Sequence, residues 1–350
     1  MKSRSLLNFF KKAAAVFCAA ALILPISSCQ KNKNSFEKQD FLMDTVLTQK
    51  IYGDGDFEKA ANDVYSALRE CEKKFSAFDE GSEIYKINQS GSKAVSATKE
   101  TLEFINACLD YSKKDADDGF DISVLPLSSI WKTAISDGKL PKESDIKAAA
   151  AMVDDSKITI DMQNNTVTLP KGMGLDLGAL AKGAALEKAA KIYEQNKVVG
   201  AICSLGSSAM LLYGSKPDGS SFKIGLRDPF GQAENLAVLS LDNCVVSTSG
   251  GYERFAEIDG KKFHHIIDPK TGYPSDSDIA CVTVVGEDGL LCDYLSTKLF
   301  LEGFDNAVKI AKDSDLAVVL VSNEKKVFVS QKLNDKFELK GTEYERIGIE

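Results

Sequence analysis

The chain has 350 residues, of which 44% are hydrophobic and 27% charged. It can therefore bury a substantial core, and its composition excludes a wholly disordered or fibrous protein. The formal charge is −8, and it becomes −12 without residues 1–28, which hold four basic and no acidic side chains; a nucleic-acid partner is excluded on that balance.

At the start, Lys2, Arg4, Lys11 and Lys12 precede an apolar run from Ala13 to Leu24. Such a run is shorter than the roughly 20 residues a spanning helix needs, so residues 1–28 are expected to be a secretory signal. Its end, Leu24-Pro25-Ile26-Ser27-Ser28-Cys29, resembles a bacterial lipobox. The resemblance implies cleavage before Cys29, lipid on its sulfur, and an exported protein anchored to the bacterial cell membrane, on the outer face of the inner membrane or the periplasmic side. Polar residues from Gln30 to Lys38 fit a flexible tether, so the folded domain is expected over 39–350.

Apolar residues at helical spacing predict helices over Phe57–Phe75 and Lys99–Lys113. A further helix is expected over Glu143–Met152, after Trp131. A hairpin follows, Ile158–Ile160 with Thr166–Leu169 around Asn164-Asn165. Gly183–Asn196 has the pattern of a helix. Strands are predicted over Gly200–Ser204, Ala209–Tyr213, Phe222–Leu226, Ala237–Leu241, Val245–Ser247, Phe255–Ile258, Lys262–Ile267, Ala280–Val285, Leu316–Ser322 and Lys326–Ser330. Two helices, Leu290–Leu301 and Phe304–Lys312, sit among the last of them. Hairpin-forming strands with helices between groups predict an α+β fold with mixed or antiparallel sheets and packed helices, not regular βαβ alternation.

Three segments carry chemistry. In Gly174-Leu175-Asp176-Leu177-Gly178-Ala179-Leu180-Ala181-Lys182-Gly183, a strand ending at Asp176 is expected to run through small residues into a helix whose unpaired N–H groups, with Lys182, suit a pyrophosphate. Tight packing explains those small residues equally well. The second is Val245-Val246-Ser247-Thr248-Ser249-Gly250-Gly251-Tyr252-Glu253-Arg254-Phe255, which leads into Phe263-His264-His265-Ile266-Ile267-Asp268-Pro269-Lys270-Thr271-Gly272-Tyr273-Pro274; adjacent histidines on a strand end point to opposite faces, so one at most faces a given cleft. In Asp293-Tyr294-Leu295-Ser296-Thr297, positions four apart share a helical face, and a carboxylate with a hydroxyl gives hard oxygen donors suited to Mg²⁺. The alternative is an N-cap with a surface threonine. No CxxC pair occurs among Cys71, Cys108, Cys203, Cys244, Cys281 and Cys292, and His264 and His265 are the only histidines, which leaves zinc poorly supported.

Together and in this order, the three segments resemble the ApbE-type FAD:protein FMN transferase family, whose catalytic domain is T-fold-like. The match runs from about Phe41 to Gly303. It includes Met43-Asp44-Thr45, Phe75-Ser76-Ala77-Phe78 with Ser82-Glu83-Ile84, Gly119 to Leu127 with Trp131, and Arg227-Asp228-Pro229. The resemblance implies that FAD is the substrate, lying along Met43, Phe78, Ser123, Val124, Leu125, Asp176 and Lys182. It further implies that the Ala179 carbonyl, Asp293 and Thr297 hold Mg²⁺, and that His265 stands by the phosphates as catalytic acid or base. The implied reaction transfers FMN to a Ser or Thr hydroxyl of an acceptor flavoprotein subunit, of a membrane redox complex, and releases AMP. Hydrolysis of FAD to FMN and AMP at the same site, and non-catalytic FAD storage, are the alternatives. This chain departs from the family pattern at Ser207-Ser208, where a glycine and a polar residue are usual, and at Asp44 and Leu125, where glycine is common.

Overall fold

The computed structural model describes residues 35–53, 57–114 and 119–347. The expected signal segment 1–28 and Cys29 lie outside the described residues. In chain order the elements begin with β1 (Ser35–Leu42), β2 (Thr45–Tyr52), α1 (Glu58–Phe75), α2 (Glu83–Asn88), β3 (Val95–Ser96) and α3 (Lys99–Ser112). Next come α4 (Leu125–Asp137), α5 (Glu143–Ala150), β4 (Thr159–Asp161), β5 (Thr166–Thr168) and α6 (Gly178–Gln195). Then follow β6 (Gly200–Leu205), β7 (Ala209–Gly214), β8 (Phe222–Arg227), β9 (Asn235–Leu241), β10 (Cys244–Gly250), β11 (Phe255–Ile258) and β12 (Lys261–His264). The chain continues through β13 (Ile279–Gly286), α7 (Gly289–Glu302), α8 (Phe304–Asp313), β14 (Ala317–Ser322), β15 (Lys326–Val329), β16 (Phe337–Leu339) and β17 (Glu345–Ile347).

The expected α+β class is the one observed. A nine-stranded sheet runs β1-β2-β6-β7-β10-β13-β14-β15-β17, antiparallel throughout except for the β15–β17 pair. One face carries the helices: Leu47 and Ile51 of β2, Leu68 of α1, Leu186 of α6 and Leu299 of α7 share one core. The other face is covered by the small sheet β16-β9-β8, where Leu212, Phe222, Leu239 and Val321 form a second core. Because β13 lies between these layers, six consecutive residues from Ile279 to Val284 are buried, the near-continuous apolar pattern of a strand covered on both faces. A third, smaller core joins α4 and α5 to the β11–β12 hairpin through Leu127, Trp131, Ile146 and Phe263.

Several expectations are corrected. The tether was expected to reach Lys38, but β1 starts at Ser35 and pairs along its whole length with β2, Ser35 opposite Tyr52; its inward positions, Phe36, Lys38, Asp40 and Leu42, include two charged residues, which hides a sheet-edge strand. The helix expected after Trp131 is present as α5, but Trp131 itself sits within an earlier helix that was not expected, α4, which Pro126 opens at its first turn and Gly138 ends with φ 64. Helix α6 begins at Gly178, not Gly183, because alanine and leucine propagate the helix through the glycine. No strand leads to Asp176: the segment is irregular, pinned by the Asp176 N–H to Ile122 O at 2.9 Å and a single bridge between Gly174 and Val124. Finally, β12 stops at His264.

Candidate active site

Helices α6 and α7 cross at two glycines. A Cβ added at Gly183 would lie 2.1 Å from Gly289 O, and one at Gly289 would lie 2.6 Å from Gly183 O. The crossing therefore requires two residues without side chains, and it brings the second turn of α6 against the first turn of α7. Asp293, one turn after Gly289, then reaches across: its Oδ2 accepts from the Gly183 N–H at 2.6 Å, and its Oδ1 accepts from Ser247 Oγ on β10 at 2.7 Å. That same N–H is the regular intrahelical partner of the Ala179 carbonyl, so helical geometry sets Ala179 O within about 6 Å of the carboxylate. Thr297, a further turn along α7, has its Oγ1 3.2 Å from Ser249 Oγ. Ser247 and Ser249 of β10 thus face Asp293 and Thr297 of α7 beside the helix crossing.

Asp293 is only 5% exposed. Burial pushes its carboxyl upward, and the Lys182 ammonium, the Ser247 hydroxyl and the Gly183 N–H oppose that shift. A divalent cation fits the arrangement, since it would supply the charge a buried carboxylate lacks, and hard oxygen donors suit Mg²⁺. Among the described residues no three His, Cys, Asp or Glu side chains form a metal cluster, so one carboxylate, a hydroxyl and a carbonyl are the donors available here. The N-cap role is taken elsewhere: Asp288 caps α7 by accepting from Leu291 N at 2.7 Å. The six cysteines from Cys71 to Cys292 are buried and unbridged.

Lys182, one turn after Ala179, donates to Ser208 Oγ, and Ser208 O accepts from Thr248 N at 2.7 Å. The Ser207-Ser208 departure therefore supplies side-chain partners, with Ser207 Oγ on Glu253. The β6–β7 turn around Gly206 abuts the β1–β2 turn, for a Cβ at Gly206 would lie 2.3 Å from Thr45 Oγ1. In that β1–β2 turn Met43 and Asp44 have φ 54 and φ 56. Two left-handed residues match a type I′ hairpin, a conformation that aspartate tolerates better than most residues, which explains why Asp44 can stand where glycine is common. The turn is held by Glu72 Oε1 accepting from Met43 N at 2.7 Å, and by Arg254 donating to Asp44 O at 3.2 Å.

Arg254 also fixes the histidine. Its carbonyl accepts from His265 N at 3.2 Å and lies 3.4 Å from His265 Nδ1. A carbonyl only accepts, so this contact favours the tautomer protonated at Nδ1 and leaves Nε2 as the basic nitrogen. His264 and His265 do diverge: His264 is buried, edge-on to Phe300 with ring centroids 5.5 Å apart, while His265 is exposed. Surrounding protein lowers the His265 pKa to about 4, with Arg254 and Lys182 adding repulsion; because the ring meets solvent, screening shrinks that shift. The ring is neutral at pH 7 in either case. The turn after it is clamped from α4, where Trp131 Nε1 donates to Gly272 O at 2.8 Å and the indole stacks on Phe263 at 5.3 Å.

The remaining expected residues lie toward α4. Asp176 accepts from Gly178 N at 3.0 Å and from Ser128 Oγ at 2.7 Å. Phe78 is exposed, with Lys132 of the same helix as Ser128 over its ring at 3.5 Å. Leu125 opens α4 and packs on Gly174, and Val124 is its partly buried N-cap. Ser123 is fully buried, its hydroxyl donating to Asp121 Oδ1 at 2.6 Å and accepting from Asp154 N at 2.9 Å, so it shapes the loop. Sequence reasoning missed Ser128, and it quoted Ser247, Ser249 and Arg254 within the second segment without assigning them a role. A cavity of about 100 Å³ bordered by Ser207, Thr248 and Tyr252 lies on the other face of β10, below the ~300 Å³ at which ligand pockets begin.

The ApbE family model matches residues 43–320. An FAD:protein FMN transferase of Klebsiella pneumoniae is 29% identical over 293 residues, covering 83% of this chain and 90% of that protein. Another, of Haemophilus influenzae, is 28% identical over 334 residues, covering 92% and 96%. The crystal structure of the ApbE protein from Thermotoga maritima superposes with a TM-score of 0.79 at 26% identity, covering 86% of this chain and 99% of that one. The flavin transferase ApbE from Vibrio cholerae shares the fold, with a TM-score of 0.76 at 21% identity over 86% of this chain and 99% of its own. A matched span that takes in the β1–β2 turn, both crossing helices and the histidine strand leaves one assignment: the chain belongs to the ApbE family.

Proposed function

We propose that this chain is an FAD:protein FMN transferase that holds Mg²⁺ on the Ala179 carbonyl, Asp293 and Thr297, moves the FMN half of FAD onto a Ser or Thr hydroxyl of an acceptor protein, and releases AMP. The observation that carries this reading is the buried Asp293 carboxylate at the α6–α7 crossing, facing Ser247 and Gly183 with Lys182 in electrostatic reach. The activity itself is the one named for the relatives above.

When bound, the cation neutralises pyrophosphate charge and polarises the phosphoryl oxygens. The chain's own groups do the rest. Lys182 offers a full positive charge at the amino end of α6, where N–H groups already favour phosphate. Met43, Phe78, Val124, Leu125 and Asp176 lie along the dinucleotide and hold it in line with the incoming hydroxyl. His265 Nε2 takes the proton of that hydroxyl as it attacks the FMN-side phosphorus, and the AMP oxygen leaves. Positioning and charge stabilisation supply most of the acceleration.

The lipobox-like end of the first segment supports anchoring through Cys29, with the acceptor a flavoprotein subunit of a membrane redox complex. Substituting Cys29→Ala is expected to release the protein from membranes. For the chemistry, the protein is incubated with FAD and Mg²⁺, with and without an acceptor domain. AMP together with a flavin-sized mass gain on the acceptor is the expected result. AMP without labelling would establish hydrolysis instead, and FAD binding with neither product would establish storage. Asp293→Ala should lose Mg²⁺-dependent turnover and still fold; turnover retained at saturating Mg²⁺ removes the cation assignment.

A further inference from the structure

Strand β10 and helix α7 meet as a two-rung ladder. Alternate residues on a strand are about 6.6 Å apart on one face, and residues four apart on a helix rise by about 6 Å, so two serines at i and i+2 can each face one of two helical residues at j and j+4. Here Ser247 donates to Asp293 Oδ1 at 2.7 Å, and Ser249 Oγ lies 3.2 Å from Thr297 Oγ1. Ser296 closes the gap between the rungs: its Oγ is 2.9 Å from Ser249 Oγ and donates to Asp293 O at 2.9 Å. Thr248, between the two serines, points to the opposite face and pairs with Thr283 Oγ1 at 2.9 Å.

We propose that Ser247 and Ser249 are positioning residues that hold Asp293 and Thr297 in the conformations that bind the divalent cation, an inference that rests on the cation site proposed above. Ser247 is 0% exposed, so its hydroxyl has the carboxylate and no bulk water to bond. With Ser247 on Oδ1 and Gly183 N–H on Oδ2, the carboxylate plane is fixed before any ion arrives, and each oxygen keeps a lone pair free. Fixing ligands in advance removes the ordering cost from binding, which is why hydrogen-bond partners of metal ligands typically change affinity 10- to 100-fold. Ser249 does the same for the Thr297 hydroxyl.

Mn²⁺ is the probe, titrated against the full chain with free ion read by electron paramagnetic resonance, and with FAD binding and melting temperature measured alongside. Ser247→Ala is expected to weaken Mn²⁺ binding about 10- to 100-fold and Ser249→Ala about 10-fold, with Ser249→Thr restoring it. Thr283→Val is the control: it removes a buried hydroxyl partner from the same strand on the opposite face, lowers the melting temperature, and leaves Mn²⁺ affinity within twofold. Wild-type Mn²⁺ affinity in both serine variants overturns the inference, as does an equal loss in Thr283→Val. If Ser247→Ala does not fold, Ser249→Ala and its threonine rescue decide the matter. Absence of Mn²⁺ binding by the unmodified chain would remove the cation site and this inference together, whereas loss in Asp293→Ala with retention in both serine variants removes only the inference.

Discussion

The two sides of the site are built by different means. On the side of the proposed cation, Asp293 is held at both oxygens, in a crossing so tight that neither helix has room for a Cβ. On the histidine side, His265 is exposed and is fixed by one backbone carbonyl, that of Arg254, with its turn clamped from α4 by Trp131. Groups that must stabilise developing charge gain from being immobile and dry, because reorganisation at the moment of reaction is what costs rate. A base that must meet a hydroxyl on another protein has to stay open to the surface. The first side should therefore fail through the fold, and the second through rate alone.

Gly183→Ala gives the largest expected effect. The new Cβ would meet the Gly289 carbonyl, backbone that cannot swing aside, so α6 and α7 must separate at a cost of about 3 kcal/mol or more. Turnover should vanish and the melting temperature should drop sharply; a variant with native stability would mean the crossing is looser than described.

His265→Ala should do the reverse. Stability should stay within about 0.5 kcal/mol, as for an exposed side chain, while transfer slows by roughly 10²- to 10⁴-fold, the usual range for losing a general base. The acid limb of the rate profile should disappear with it: wild-type turnover should fall only below pH 6.5, because the imidazole pKa is lowered toward about 4. Unchanged turnover would assign the proton transfer to another group or to water.

Trp131→Phe is intermediate. Phenylalanine keeps most of the stack on Phe263 and leaves Gly272 O without its donor, which costs about 1–3 kcal/mol for a buried carbonyl. Because the clamp holds the turn after His265, turnover should fall more than FAD affinity does. An equal fall in both would show that Trp131 acts on the core alone.

This contrast also explains what the sequence could reveal. Asp293 and Thr297 were legible because a helical period of 3.6 places them on one face, and the strand carrying Phe263 was placed by the proline turn that follows it. The glycine crossing was not, since Gly183 and Gly289 are 106 positions apart and a glycine in a helix reads equally as a weak point. Nor were the roles of Ser247 and Ser249, which stand in the second segment: their alternation looks like any half-polar strand until α7 is seen to lie across it. Helix α4 was hidden because Pro126 and the Ser128-Ser129 pair lower its intrinsic propensity, and tertiary packing of Leu127 and Trp131 outweighs that. The left-handed Asp44 was visible as a departure from pattern, but its reason, a two-residue hairpin, required the register of β1 on β2.

His264 gives the smallest effect at neutral pH and the clearest view of the contrast in acid. Burial pushes its pKa down from 6.5 to about 4, with His265 and Lys262 opposing the charge and Asp276 favouring it. Its Nδ1 accepts from Ile266 N at 3.2 Å, which requires the neutral ring. A folded pKa below the unfolded one means that the unfolded chain binds the proton more readily. Stability is therefore fully present above pH 6.5 and is lost as the pH falls toward 4, by about 3 kcal/mol in total. His264→Asn keeps an acceptor near Nδ1 and removes the titration. Its melting temperature should be slightly below wild type at pH 7.5, since some ring packing on Phe300 is lost, and should decline less steeply between pH 6.5 and 4.5. An identical slope in both proteins would place the acid sensitivity elsewhere, whereas a flattened slope accompanied by an unaltered neutral-pH rate would show that of two adjacent histidines one serves the fold and the other the chemistry.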